Sequence, residues 1–262
     1  MSRTICRVFG RLRDCINRRA RIALSVLAVA TLSACTTPDA PVEVFDPYED
    51  TNRRIFEFNR SLDRGLVRPA SNAYGTAVPV PIRQGVTNLS GNIDTPRRFT
   101  NDVLQGNLED AGHNIFRFLL NSTLGVFGLF EVATEFGLEP RPSDFGETLH
   151  VWGAPEGAYV VLPFLGSSNE RDAIGKVVDL FTNPLTHVLE DEAQLIPPAS
   201  SAGAGLDTRY RLRGTIDSIL YDSADSYAQS RNLYIQNRRF QLEDTNEDFF
   251  FDPYGDFDGP EN

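Results

Sequence analysis

Apolar and polar positions first separate at the very start of the chain. Seven arginines against one acid, Asp14, fill the first twenty-one residues, and an apolar run of thirteen, Ile22 to Ala34, follows at once. That order is the layout of a secretory leader. As a helix the run reaches about 20 Å, short of the roughly 30 Å hydrocarbon core, so it predicts a removable signal and not a permanent span. The body begins with "DPYE", where Asp46 is placed to cap a helix, Pro47 to occupy its first position and Glu49 to complete a capping box. Thr51, Ile55, Phe58, Leu62 and Leu66 recur at helical spacing, with Arg53, Arg60 and Arg64 off the stripe, and Pro69 is expected to end the helix. The alternate prolines of "YGTAVPVPIRQG", Tyr74 to Gly85, predict an extended connector.

Thr95-Pro96 then predicts a new helix start, with an interruption near Gly106 and a further helix capped by Asn107. This helix runs into "IFRFLLNSTLGVFGLFEVA", Ile115 to Ala133, whose thirteen residues Phe118 to Phe130 carry no charge. Gly125 and Gly128 predict a bend inside it, giving an apolar hairpin of helix and loop. The physics leaves two readings open, entry into one membrane leaflet or burial in a core. "EPRPSDFGETL" reads as a turn-rich bridge, "AYVVLPFL" (158–165) as the one strand, and Asp172 to Phe181 as a helix limited by Pro184. Leu206, Tyr210, Ile216, Leu220, Tyr227 and Tyr234 predict one long closing helix from about Ser201 to Arg239. The fold class expected is all-α, a single domain with at most one short strand or hairpin.

Composition sharpens this in three places. Leu32-Ser33-Ala34-Cys35 closes the leader and fits a bacterial lipobox, making Cys35 the acylated first residue of the mature chain. Two or more acyl chains, at about 0.8 kcal/mol per buried methylene, hold a protein stably on a membrane. The alternative is an ordinary secreted protein with one free cysteine. Cys6 and Cys15 leave with the leader, so no disulfide is expected. Charge is the second point: the mature chain has 25 − 7 = 18 basic and 36 − 1 = 35 acidic residues, net −17, which repels nucleic acid. Eight of those acids lie in the last twenty-two residues, which contain no base and are expected to be disordered. Third, Lys176 is the single lysine among 25 basic residues. Arginine forks suit phosphate groups, but genome composition is the simpler account of the bias. The layout expected is a leader at 1–34, a tether at 35–45, a helical domain at 46–239 and an acidic tail at 240–262.

Chemistry is sparse. His113, His150 and His187 have no metal-ligand spacing, and the chain has neither a Gly-x-Ser-x-Gly elbow nor a phosphate-binding Walker loop. No cofactor is implied. No pair of carboxylates stands out as a glycosidase couple, so a non-enzymatic role is expected.

The residues themselves resemble a known family. From Asp46 to about Arg239 the chain is similar to the MlaA (VacJ) family of bacterial outer-membrane lipoproteins. "NRRIFEFNRSLD", "RPASNAY", "VPVPIRQGVTNLSGNIDTP", "NDVLQG", "RFLLNSTLGVFGLFEVA", "DFGETL", "YVVLPFLGSSNERD" and "DSYAQSRNLYIQNRR" carry the resemblance. Ala154-Pro155-Glu156 and Ala158 depart from a usually Gly-rich segment, and Ser226 from a usual Asp-Pro-Tyr. The resemblance implies a ring-like helical assembly in the periplasmic leaflet of the outer membrane, crossed by an amphipathic channel and seated beside a trimeric porin. Phospholipids stranded in the outer leaflet pass through it to a soluble MlaC-like periplasmic carrier, which preserves lipid asymmetry. Under it, Cys35 is the lipid anchor, Phe58, Asn59 and Arg117 belong to the channel or lipid path, and Phe127, Leu129 and Phe130 form the membrane-inserted hairpin. The rival function is a porin-associated structural or assembly lipoprotein without transport.

Overall fold

The computed structural model describes residues 44–185, 189 and 191–243. The leader, Cys35, most of the tether, His187 and the acidic tail beyond 243 lie outside the described residues. Within them the architecture is helical with one two-stranded hairpin, and no helix there is long and apolar enough to cross a membrane.

Helix α1, Glu49–Leu62, starts three residues after the expected cap. Asp46 does not cap it. Its carboxylate instead accepts from Asn52 Nδ2 at 2.9 Å and pairs with Arg231 at 2.8 Å, tying the first helix to the last. The buried positions of α1 are Asn52 and Phe56, and the apolar stripe is split: Ile55 packs on the core, while Phe58 and, in the turn beyond the helix, Leu66 are exposed. Hydrogen bonds set this rotation. Asn52 bonds Tyr159 O and Val161 N, and Asn59 bonds Leu162 O and Phe164 N, so both amides clamp the backbone of the hairpin.

Pro69 does not end the helix. A π turn, Asp63–Val67, leads directly into α2, Arg68–Ala77, and Arg68 N reaches back to Asp63 O. The wider turn gives the pyrrolidine ring room against the preceding carbonyls. The extended connector shrinks to Val78 and Pro79, with ψ of 123° and 145°, and α3, Val80–Gln105, starts at once with Pro81 in its first turn. Helix α3 also runs through Pro96, where a new helix is expected from sequence. Two side chains bond carbonyls beside the proline: Thr95 Oγ1 donates within the helix to Gly91 O at 2.9 Å, and Asn183 Nδ2 donates from outside it to Ile93 O at 3.0 Å.

Gly106, at φ 79°, stops α3, and Asn107 caps α4, Leu108–Thr123, by accepting from Asp110 N. The bend after α4 falls at the two glycines. A Cβ on Gly125 would meet Phe130 O at 2.2 Å, and Gly128 sits at φ 89° against Asn92. A short α5 (Val132–Glu135) follows, and the expected turn-rich bridge contains α6, Phe145–Val151, capped by Asp144. Strands β1 (Tyr159–Leu162) and β2 (Gly166–Asn169) pair antiparallel from Tyr159↔Asn169 to Leu162↔Gly166. Asn169 caps α7, Glu170–Thr182.

The single closing helix is corrected to three pieces after a 3-10 turn at Asp191–Leu195. They are α8 (Ile196–Arg211), α9 (Arg213–Asp217) running into a second π turn (Ser218–Asp222), and α10 (Ser226–Glu243). Asp225 accepts from Ala228 N and opens the last of these as a fresh start.

Packing between neighbours closes a circuit: α1 against β1, β1 against α7, α7 against α6, α6 against α3, α3 against α8, α8 against α2, and α2 through the π turn back to α1. Among the described residues an aromatic core lies beneath the hairpin, where Phe56, Tyr159, Val161, Tyr227 and Ile235 cluster and Phe56 meets Tyr227 edge-on at 5.7 Å.

Candidate lipid-facing surface

Polarity in this fold is inverted. Among the described residues, ten hydrophobic side chains are buried against twenty-one polar or charged ones, while twenty-eight large hydrophobics are exposed. A water-soluble domain buries its large apolar side chains and seldom exposes broad apolar areas. Helix α4 shows the inversion most clearly. Ala111, Asn114, Arg117 and Asn121 make its buried stripe, and Leu108, Phe116 and Leu119 face outward.

The buried charged side chains each hold at least one polar partner, as burial requires, although Asn92 Oδ1, Asn114 Oδ1 and Arg209 Nη1 are buried without one. Arg83 meets Asp207 on the α3–α8 contact. Arg209 forks onto Asp63 with two bonds of 2.8 Å and takes Asp217 at 2.6 Å, joining α8 to the first π turn. Burial pushes the Asp63 carboxyl up, but bonds from Arg209 and Tyr221 and the charge of Arg68 outweigh it and hold it below the usual carboxylate range. Arg238 bridges Asp144 at 2.7 Å and Asp172 at 2.8 Å, linking α10 to α6 and α7. Asn114 donates to Asp102, whose carboxyl burial shifts upward.

These pairings leave the 124–131 loop standing proud on a polar base. Glu131 accepts from Arg117 Nη2 and Asn121 Nδ2, each at 2.8 Å, and Asn92 Nδ2 donates to Phe127 O. Above them Phe127 is 76% exposed and Phe130 63%, with Leu129 at 40%. The three hairpin residues singled out from sequence are thus brought together on one exposed loop. Arg117 is placed beneath it, its guanidinium engaged by Glu131 and by Leu138 O. Phe58 lies elsewhere, half exposed and edge-on to Phe164 at 5.4 Å, while Asn59 holds the hairpin turn that carries Phe164.

Sequence reading missed the outward positions of α7, Val177 and Leu180, and the hairpin tip, Phe164 and Leu165. It also missed Glu131 as the hub of the loop. One signal was present: Asn114, Arg117 and Asn121 share a stripe opposite Leu108, Phe116 and Leu119. An uncharged cleft of about 860 Å³ between the second π turn and α10 offers mixed polarity, with Ile219 and Leu233 among Thr215, Gln229, Asn232 and Gln236.

Comparison with known proteins agrees with this architecture. The MlaA lipoprotein family matches residues 44–241. The intermembrane phospholipid transport system lipoprotein MlaA of Escherichia coli (strain K12) is 34% identical over 230 residues, covering 84% of this chain and 88% of that protein. An uncharacterized protein of Rickettsia bellii is 35% identical over 202 residues, 77% of this chain and 78% of the relative. A solved structure described as "Structural basis for maintenance of bacterial outer membrane lipid asymmetry" superposes with a TM-score of 0.65 at 31% identity, over 75% of this chain and 98% of the solved one. With most of its length matched and its helical fold shared, the chain belongs to the MlaA lipoprotein family.

Proposed function

We propose that the protein is an outer-membrane lipoprotein that removes phospholipids from the outer leaflet and passes them to a periplasmic MlaC-like carrier. The observation that carries this reading is the inverted polarity of α4 and its loop. Side chains such as Phe116, Phe127 and Phe130 are largely uncovered by protein, and acyl tails are the solvent that suits them. Anchored by acyl chains on Cys35, the body sits as a ring in the periplasmic leaflet, its rim solvated by lipid and its buried ion pairs shielded from that lipid. Helix α4 is too short and too polar on one side to cross, so the seat is one leaflet deep.

Phospholipid is amphipathic, so its path needs apolar and polar walls together. Phe58 presents the apolar face assigned to that path. Asn59 and Arg117 hold the hairpin and the 124–131 loop that frame it. The cleft beside α10 has the mixed lining such a ligand requires. Transfer breaks no covalent bond and runs without nucleotide or cofactor.

A trimeric porin is the neighbour this reading places beside the ring. The test is reconstitution of the full-length lipoprotein and porin in asymmetric vesicles with labelled phospholipid in the outer leaflet. Label is expected to reach the carrier faster than with porin alone. Stable porin binding with no gain in label would replace transport by the structural, assembly role.

A further inference from the structure

One cavity lies apart from the rim. It is a half-open cleft with a volume of about 450 Å³, lying between the end of α6, the 153–156 loop, the start of α7 and the last turns of α10. His150, Glu156, Arg171, Arg238, Arg239 and Leu242 line it. Three guanidinium groups thus face one carboxylate, and that carboxylate is held by Arg239 at 3.1 Å.

The carboxylates behind the wall are also engaged. Asp172 accepts from Arg238, Tyr234 and Asn169, and Asp144 is forked by Arg238. Arg171 is left with the weakest acid contact, Nε to Asp172 at 3.4 Å, although its side chain is only 4% exposed. Its Nη1 lies 3.2 Å from His150 Nδ1, a neutral acceptor. A buried guanidinium whose outer nitrogen meets a neutral ring is short of negative charge.

We propose that this pocket recognises a phosphate group, a mono- or diester anion seated against Arg171 and Arg239 beside His150, with Leu242 as its apolar wall. Phosphate suits it because planar guanidinium groups fork onto tetrahedral oxygens at charge-assisted strength. The pocket stands on its own residues. Only the identification of the anion with a lipid headgroup rests on the transport reading.

Burial lowers the proton affinity of His150, and the charges of Arg171 and Arg238 lower it further, against Asp172 and Glu156, which raise it. An anion in the pocket reverses the balance. Protonated at Nδ1, the ring donates where it accepted, Arg171 swings to the anion, and both address the same oxygens. Binding therefore takes up a proton and weakens as pH rises.

The test uses the mature lipoprotein in a phosphate-free maltoside detergent, following the His150 ring by NMR, with His150→Gln to assign the signal. The probes are inorganic phosphate and short-chain phosphatidylglycerol below its micelle concentration. Either probe should raise the His150 titration midpoint, and Arg239→Gln, at an exposed position, should weaken binding about tenfold. Tighter binding of the lipid identifies a headgroup site, while equal binding of both identifies a free phosphate site. A His150 midpoint that neither probe moves, or an affinity that Arg239→Gln leaves unchanged, overturns the proposal. Lipid arrival on the carrier without any His150 response would sink the pocket and spare transport; the opposite result would do the reverse.

Discussion

Glu147 shows how one side chain in this fold reports pH. It stands three residues after the capping Asp144, and burial, followed by the nearby charge of Asp144, pushes its carboxyl up to about 7, against the pull of Arg238. A folded-state value above the unfolded one of 4.5 means that the fold favours the protonated form. That contribution is fully present below about 4.5 and is lost as pH rises through about 7, an effect of up to about 3 kcal/mol. Glu147→Gln is therefore expected to raise the thermal midpoint at pH 8 and to flatten its change between pH 5 and 8. Midpoints equal to wild type at pH 8 would show that the carboxyl is ionised without penalty. Asp63, Asp94 and Asp172 act in the opposite sense. Burial raises each, but arginine partners prevail and hold all three low, so their contribution exists above the unfolded value of 3.8 and fades as pH falls further. Of these pairings only those of Asp94 with Arg97 and Arg98 have a helical spacing that a sequence can show; those of Asp63 with Arg209 and Asp172 with Arg238 join distant elements. In the sequence Arg117 enters only as part of the lipid path the resemblance implies, and its acid, Glu131, lies fourteen positions on, across a bend that no helical spacing bridges.

Among the elements, the prolines and glycines separate local rules from tertiary ones. Pro69 and Pro96 are helix stops by propensity, and both lie inside helical stretches, one behind a π turn and one where Thr95 and Asn183 satisfy nearby carbonyls. The glycines at 125 and 128 were read correctly because a bend needs positive φ or close approach whatever surrounds it. Gly75 was invisible for the opposite reason. A Cβ there would lie 2.2 Å from Tyr210 Cγ on α8, a contact decided only when α2 and α8 pack. Gly75→Ala should therefore destabilise the fold by about 1–3 kcal/mol through overpacking. Gly112→Ala, with nothing within 4 Å in the middle of α4, should stabilise it by about 0.5–1 kcal/mol. Chemical denaturation in detergent measures both, and equal effects of the two would contradict the packing described.

For the whole molecule, the proposed membrane association combines an acyl anchor with an apolar rim. Phe127→Asp or Leu129→Asp removes one rim contact and should weaken partition of unacylated protein into vesicles by about 2 kcal/mol, roughly thirtyfold. Helical circular dichroism should stay nearly unchanged, because both side chains are exposed. Loss of the helical signal would mean that the loop belongs to the core. Cys35→Ser is expected to leave the precursor uncleaved and unacylated, with mass spectrometry of the membrane fraction as the readout. An acylated mature product would refute the lipobox.

What the sequence determined by itself is what depends on neighbours a few residues apart. Such features are the cap at Asn107, the bend at 125–128, a strand within 158–165 and the family blocks that predict a helical body; the basic-then-apolar leader and its lipobox are local patterns too, but lie outside the described residues. Tertiary structure decided which face of each helix is outside. The stripe of α1 was legible as apolar, but its spacing did not say which way it faces. Asn52 and Asn59 bond the hairpin backbone, and Arg83, Arg117 and Arg209 find acids on other elements, so these polar groups turn in and much of the apolar surface turns out. Periodicity measures only that two faces differ. Which of them is buried depends on partners distant in sequence and on the solvent the molecule meets, here proposed to be lipid.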